Sequence, residues 1–174
     1  MVSRMRRTSF RGMDCPIARS LERVGEWWSI LILRDAFAGV SRFDEFETSL
    51  GIAPNMLARR LKALTKAGML RKRRYSARPA RYEYVLTDRG RDFRPVLLAL
   101  LAYGNRHFAP EGASVIVVDA RTGDAADPAV VDKKTGRLLS EADFAIVAGP
   151  AASSATRERL AARSVRLARQ GQPS

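Results

Sequence analysis

The feature that most constrains the fold is a change of hydrophobic period between residues 54 and 86. Leucines first recur at helical spacing, at Leu57, Leu61 and Leu64, which predicts a helix with one buried stripe over residues 54–66. After a glycine, Met69–Tyr75 and Arg81–Leu86 are typical of two strands joined by a short tip, which predicts a hairpin. A helix followed at once by a hairpin leaves few architectures open to this part of the chain.

The positive charge of the chain is concentrated in the same region. The 174 residues include 31 Lys and Arg against 18 Asp and Glu, which gives a formal net charge of +13. Every charged residue from Arg59 to Arg81 is basic. Such an excess indicates a polyanionic partner. The length and an apolar fraction of 46% favour one main packed domain.

Three further helices are predicted before residue 54. They cover residues 14–24, 26–38 and a short segment that Ser41 can cap, with Phe43, Phe46 and Leu50 facing inward. Gly51 then breaks the chain, so the short helix and the next one form a helix-turn-helix. The fold class is therefore mainly α with a small β-hairpin wing, a winged helix-turn-helix.

This architecture suits duplex DNA. The second helix of the motif fits the major groove, where Asn reads adenine and Arg reads guanine, while wing cations bind phosphate. The side of that helix opposite the leucines carries polar and basic residues without an acid. The predicted DNA-binding residues are Asn55, Met56, Arg59, Arg60, Lys62 and Lys66 on the helix and Arg73, Arg74, Arg78 and Arg81 on the wing and backbone.

A last long helix is predicted from the Thr87-Asp88-Arg89-Gly90 cap onward, with Pro95 as a kink. Its broad apolar face suggests pairing with another chain. On the first helix, Ile17 and Leu21 share one face. The predicted dimer-interface residues are Ile17, Leu21, Leu97, Leu100, Leu101 and Tyr103.

The predicted domain division has four parts. They are a flexible basic arm (residues 1–13), the winged helix-turn-helix (14–108), a small C-terminal β-ribbon-like appendage (112–150) and an amphipathic helix (155–170). The appendage repeats D-x-x-T-G, at Asp119 and again at Asp132. The repeat resembles a zinc ribbon without its thiolates, but two hairpin turns, each with a glycine at positive φ, are the favoured interpretation. No metal and no cofactor are expected.

Short motifs over residues 14–108 resemble the HxlR-type winged helix regulators, which are relatives of the MarR type. These motifs are specific to the family when they occur in this order and spacing. They are Cys15–Ile17, Trp28–Asp35, Arg42–Phe46, Gly51–Leu57, Arg60–Leu61, Ala67–Leu70, and Tyr82–Thr87 with Gly90. The resemblance implies a dimeric DNA-binding regulator of bacterial transcription, with dimer contacts from the N-terminal helix and the long C-terminal helix. One departure is Ala53, where the family usually has a Ser that caps the recognition helix.

Cys15 occupies the position of a cysteine that senses oxidants, quinones or aldehydes in some members of that family. A thiol at a helix N-terminus, near Arg11 and Arg19, would have its thiolate favoured by the dipole and the positive charge. The other interpretation is a small apolar side chain that fills the dimer seam. Both remain open at this point.

Several classes of protein are not expected. The one histidine, His107, has no catalytic partner at a recognisable spacing, and there is no P-loop, so no enzyme is predicted. No apolar run is long enough for a membrane span, and no signal peptide is recognisable, so a cytoplasmic location is expected.

The sequence thus predicts a cytoplasmic homodimer that reads a pseudo-palindromic operator and represses or activates nearby genes. A response to an electrophile, an oxidant or a small ligand is an option that the two interpretations of Cys15 leave open. One alternative is an architectural protein that coats DNA without selecting sites. Another is a sensor whose main role is to capture a small molecule or an electrophile between the subunits, with DNA release as the output.

Overall fold

The computed structural model describes residues 12–140 and 143–170, with side chains up to residue 162. The predicted basic arm therefore lies almost entirely outside the described residues. Arg23–Val131 forms one compact unit, and the described parts of residues 1–22 and 132–174 form a second. These units divide the chain at different points from the boundary expected near residues 109–112, and they split the region predicted as one appendage.

The described elements follow the order expected of a winged helix. They are α1 (Pro16–Val24), α2 (Trp27–Phe37), α3 (Phe43–Leu50), α4 (Pro54–Lys66), β1 (Leu70–Ser76), β2 (Arg81–Leu86), α5 (Asp88–Arg91), α6 (Arg94–Phe108), β3 (Val117–Val118), β4 (Ala125–Ala126) and α7 (Ser154–Gln170). The larger unit has its core among α2, α3, α4 and the start of β1.

Helix α2 crosses the centre of this core. Ile32 and Leu33 are fully buried on it. Asp35 is also buried, and its carboxylate accepts a hydrogen bond from the Ser49 hydroxyl (2.7 Å) and pairs with the Arg34 guanidinium (2.7 Å). A buried charge is tolerated only when it is paired and hydrogen-bonded, as it is here. The hydrogen bond between Ser49 and Asp35 therefore ties α2 to α3.

The start of α3 differs from the sequence prediction. Arg42, rather than Ser41, stands at the N-cap position, and no side chain there makes a cap hydrogen bond. Instead the Glu45 carboxylate accepts from the backbone N–H groups of Arg42 (2.9 Å) and Ser41 (3.1 Å). These bonds lower the pKa of Glu45, because they favour its charged form.

Helix α4 has the predicted limits. Pro54 stands in its first turn, where a missing N–H costs nothing, and Leu57, Leu61 and Leu64 are fully buried. Ala53 occupies the N-cap and makes no side-chain hydrogen bond. The helix therefore forms through its buried stripe without the usual cap.

The hairpin follows α4 at once. β1 and β2 pair antiparallel from Leu70 opposite Leu86 to Arg74 opposite Tyr82, and the register shifts before Ser76. The backbone N–H of Tyr84 also donates to the Ser41 carbonyl (2.7 Å). We call β1, β2 and their tip, residues 70–86, the wing. It is anchored to the residues that precede α3.

The predicted long helix after the wing is two helices. The Thr87 hydroxyl accepts from the Gly90 N–H (3.1 Å) and caps α5, which ends at Arg91. Pro95 lies in the first turn of α6, so it is compatible with a helix start and does not kink a continuous helix. The single-helix prediction with a kink at Pro95 was wrong on this point.

Both copies of the D-x-x-T-G repeat form turns. Gly123 donates its N–H to the Asp119 carbonyl (2.8 Å), and Gly136 does the same to Asp132 (2.7 Å). Both glycines have positive φ, +80° and +71°, a conformation that favours glycine. The first turn joins the two-residue strands β3 and β4. Turns with a glycine at positive φ are therefore confirmed for both copies, and a hairpin for the first. In the described part of the chain, no group of His, Cys, Asp or Glu is placed to hold a metal ion.

Candidate nucleic-acid interface

The outer face of α4 presents four exposed polar or basic side chains. They are Asn55, Arg59, Lys62 and Lys66. The opposite side of the same helix is the buried leucine stripe. Because α4 has 13 residues and rises about 1.5 Å per residue, it is about 20 Å long. A helix of this length, basic on one side and packed on the other, suits the major groove of B-DNA.

Two residues predicted to bind DNA do not belong to that outer face. The Arg60 side chain is only 12% exposed and pairs with Glu26 across 3.3 Å. Met56 is partly buried against the core, and its sulfur accepts from the Arg59 guanidinium (3.3 Å). Arg60 therefore links α4 to the start of α2. The sequence placed Arg60 on the flank of the helix, and only the tertiary fold brings Glu26 to it.

The wing arginines differ in what they contact. Arg73 Nε donates to the Glu83 carboxylate (2.7 Å), whose side chain is only 16% exposed. Arg74 donates to the carbonyls of Ser76 and Ala77, so it holds the tip of the wing. Arg78 and Arg81 are exposed. Of the four predicted wing residues, two are thus engaged within the wing itself.

The structure adds cations that the sequence prediction did not select. The Lys72 ammonium lies 4.0 Å from the centroid of the Tyr82 ring, and the Arg42 guanidinium lies 4.7 Å from that of Tyr75. Arg71 is exposed on β1. Lys72 and Arg71 belong to the basic run and could have been selected from it. Arg42 could not, because its place beside the wing depends on a bridge to β2 at Glu83.

The predicted dimer residues lie on two helices. On α1, Ile17 and Leu21 are exposed. On α6, Leu100 and Tyr103 are exposed, whereas Leu97 packs against the core of the larger unit. A sixth residue, Leu101, is partly buried. Large exposed apolar side chains grouped on one helix are typical of a surface that another chain covers.

Cys15 lies at the start of α1 and is partly buried. The positive charge expected beside it is partly compensated, because Arg19 Nη2 lies 3.4 Å from the Asp14 carboxylate. The other arginine named for this role, Arg11, lies outside the described residues. The positive charge beside Cys15 is therefore smaller than the sequence suggested.

Within the described residues, no helix combines the length and the apolar character that crossing a membrane requires.

The fold and the basic face of α4 define a class: winged helix-turn-helix DNA-binding proteins. The family model described as HxlR-like helix-turn-helix matches residues 23–112. The chain belongs to this family. It is a DNA-binding transcriptional regulator and not an enzyme.

Similar proteins agree with this assignment. The uncharacterized HTH-type transcriptional regulator Rv3095 of Mycobacterium tuberculosis is 36% identical over 135 residues, which cover 77% of this chain and 85% of the relative. The solved structure of PA1374, a candidate transcription factor of Pseudomonas aeruginosa, is 55% identical, with a TM-score of 0.61, and covers 84% of this chain and 100% of its own. The redox regulator HypR in its reduced form is 28% identical, with a TM-score of 0.51, and covers 56% of this chain and 99% of its own.

Proposed function

We propose that the chain binds a pseudo-palindromic operator as a homodimer and controls the transcription of nearby genes. The observation that carries this proposal is the outer face of α4, where an amide and three cations are exposed opposite three fully buried leucines. In this proposal Asn55 and Arg59 read base edges, since their side chains make paired hydrogen bonds to adenine and guanine. Lys62 and Lys66 bind phosphate and fix the register.

On the wing, the proposed DNA contacts are the cations whose side chains donate no hydrogen bond to another described wing residue. Arg78 at the tip and Arg81 at the start of β2 are exposed, and we assign them to phosphates of the flanking groove. Arg71 and Lys72 on β1 add to the same positive surface. Arg73 and Arg74 are assigned to wing structure, because their guanidinium groups bond within the wing.

The dimer is proposed to form through the exposed apolar faces of α1 and α6. Two identical recognition helices related by a two-fold axis require half-sites about one helical turn of DNA apart. Leu100 and Tyr103 contribute large exposed apolar surface on α6. Replacing Leu100 by Glu places a charge in this proposed interface. Sedimentation velocity should then report a monomer, and a dimer of unchanged stability would contradict this surface.

The test of the DNA proposal is fluorescence anisotropy at physiological salt. One duplex carries the DNA upstream of the protein's own gene, and the second is a shuffled duplex of equal length. Specific regulators prefer their site by about a thousandfold or more. The architectural function is favoured instead if the protein binds the upstream duplex, the shuffled duplex and duplexes tiled across the neighbouring genes with equal affinity and a steep salt dependence. For the variant Arg59→Ala in this assay, Arg121→Ala is the matched control, because it removes an exposed arginine from the β3–β4 turn.

We also propose that oxidants or electrophiles act on the protein at Cys15. Cys15 is the single cysteine of the chain and lies partly buried at the start of α1. The similarity to HypR, a redox regulator by its description, supports this proposal. Operator binding should change after mild oxidation of the natural protein and stay constant in Cys15→Ser. An equal change in both proteins would assign the response to another group.

A further inference from the structure

The smaller compact unit contains a cavity that the proposed DNA interface does not use. Its volume is about 940 Å³, and it lies between the start of α1 and residues 146–162. Small-molecule sites commonly have volumes of about 300–1,000 Å³. The cavity is therefore large enough for a ligand of ten or more non-hydrogen atoms.

The walls of the cavity are mostly apolar. Ile17, Ile146, Val147 and Leu160 line it together with several alanines. Two of these side chains lie outside the proposed dimer surface and are strongly exposed, Ile146 at 76% and Val147 at 70%. Apolar side chains that line a recess and remain uncovered favour a ligand with an apolar body.

The charged groups that line the cavity differ in whether a neighbouring group compensates their charge. Asp14 accepts from the Ser153 backbone N–H (2.8 Å) and lies near Arg19. These groups, the Ser153 N–H first, lower the pKa of Asp14 to about 2, so its carboxylate is ionised at neutral pH. Asp14 and Arg19 thus compensate each other. Neither is left to attract a charged ligand.

Two arginines on α7 have different roles. The Arg157 guanidinium donates to the carbonyls of Pro150 (2.9 Å) and Ala152 (3.1 Å), so it holds one wall of the cavity. Arg159 also lines the cavity and is exposed. Within residues 12–140 and 143–162, no side chain or backbone group bonds to its guanidinium. The charge of Arg159 is therefore the one that the described walls do not compensate.

We propose that this cavity binds a small carboxylic acid with an apolar body, whose carboxylate pairs with Arg159. An arginine binds a carboxylate through two parallel hydrogen bonds, which gives both affinity and orientation. Ile146, Val147 and Leu160 contact the apolar body. This inference deepens the proposed regulatory function by naming the class of effector, and only its consequence for DNA binding rests on that function.

Cys15 provides a direct readout, because it is the single cysteine of the chain and lines the cavity. Octanoate is the test ligand, and octanol and octylammonium are its neutral and cationic counterparts. Octanoate should slow the alkylation of Cys15 by a small maleimide in a saturable manner. Octanol and octylammonium should require at least about tenfold higher concentrations, since they cannot pair with a guanidinium.

Two variants distinguish the contribution of the Arg159 charge to ligand binding from that of the apolar walls. Arg159→Gln should weaken octanoate about tenfold or more and leave octanol unchanged, because it removes only the charged hydrogen bonds. Val147→Trp should weaken both ligands by filling the cavity. Arg121→Gln, in the other compact unit, is the matched control and should behave like the natural protein.

The proposal is overturned if octanoate gives no protection, if octylammonium protects equally, or if Arg159→Gln binds octanoate as the natural protein does. Circular dichroism confirms that each variant is folded. Since the assay contains no DNA, its failure leaves the operator proposal intact. If the protein binds octanoate but no operator DNA, the proposed ligand site stands and the proposed regulatory function is contradicted.

Discussion

Replacing Glu83 by Gln is expected to strengthen DNA binding. The Glu83 carboxylate lies 2.7 Å from Arg73 Nε on the wing and compensates its charge. The Gln variant keeps a polar side chain of the same size beside Ser41, whose hydroxyl contacts Glu83 across 3.4 Å. The wing should therefore keep its structure while its positive charge rises by one.

The magnitude follows from counterion release. Each additional phosphate contact steepens the dependence of log affinity on log salt by about 0.9. If Arg73 gains one contact, the affinity lost between 50 and 200 mM salt grows by a further factor of about 3.5. The lost pair is partly exposed, so it costs the fold at most about 1 kcal/mol.

The assay is fluorescence anisotropy on one duplex at several salt concentrations, with three variants. Glu83→Gln should bind more tightly at low salt and show the steeper slope. The double variant Arg73→Gln with Glu83→Gln changes no net charge and should return to the natural slope. Arg78→Gln should reduce the slope by about 0.9. If the salt slope of the double variant falls by as much as that of Arg78→Gln, then Arg73 contacts DNA directly in the natural protein and the reasoning is wrong.

Three further predictions concern the interface and the two compact units. Arg59→Ala should relax base preference at one half-site position, at a cost of about 1–3 kcal/mol, whereas Lys66→Ala should weaken all duplexes alike; competition against single-base variants of the operator separates the two. Gly90→Ala should destabilise the larger unit by about 1–3 kcal/mol in urea unfolding, since its Cβ would lie 2.1 Å from the Met69 carbonyl oxygen; unchanged stability would contradict this packing. Asp14 has its pKa lowered from 3.8 to about 2 in the folded protein, so its ionised form adds stability above about pH 4 that is lost as the pH falls towards 2. Thermal unfolding of the natural protein and Asp14→Asn should therefore differ at pH 7 and converge near pH 2, and a gap that widens on acidification would refute the assignment.

Local patterns were sufficient for much of the fold. The limits of α4 follow from Pro54 and the leucine spacing, and the wing follows from alternation on either side of a tip. The cap of α5 at Thr87 was also readable. These features depend on residues close in sequence, so a sequence pattern is enough to find them.

The contacts that were missed depend on the folded arrangement of the chain. Arg60 meets Glu26 only when α4 packs beside the start of α2. Arg73 meets Glu83 because the register of the hairpin sets them opposite each other, and the sequence pattern does not give that register. A helical wheel gives the direction of a side chain but not the neighbour it finds there. The break between α5 and α6 was missed for another reason, since the apolar pattern continues through it and Pro95 is equally compatible with a kink and a first turn.

The two sides of α4 contribute separately to stability and to the proposed DNA contact. This separation has a consequence for how such a protein could acquire a new operator. Its stability depends on Leu57, Leu61 and Leu64, which are fully buried, whereas Asn55 and Arg59 are exposed on the other side. Substitutions at exposed helix positions usually change stability by less than about 0.5 kcal/mol. If Asn55 and Arg59 read bases as proposed, duplicated copies could diverge to new operators through a few surface substitutions, and these positions are the ones to randomise when variants of altered specificity are selected.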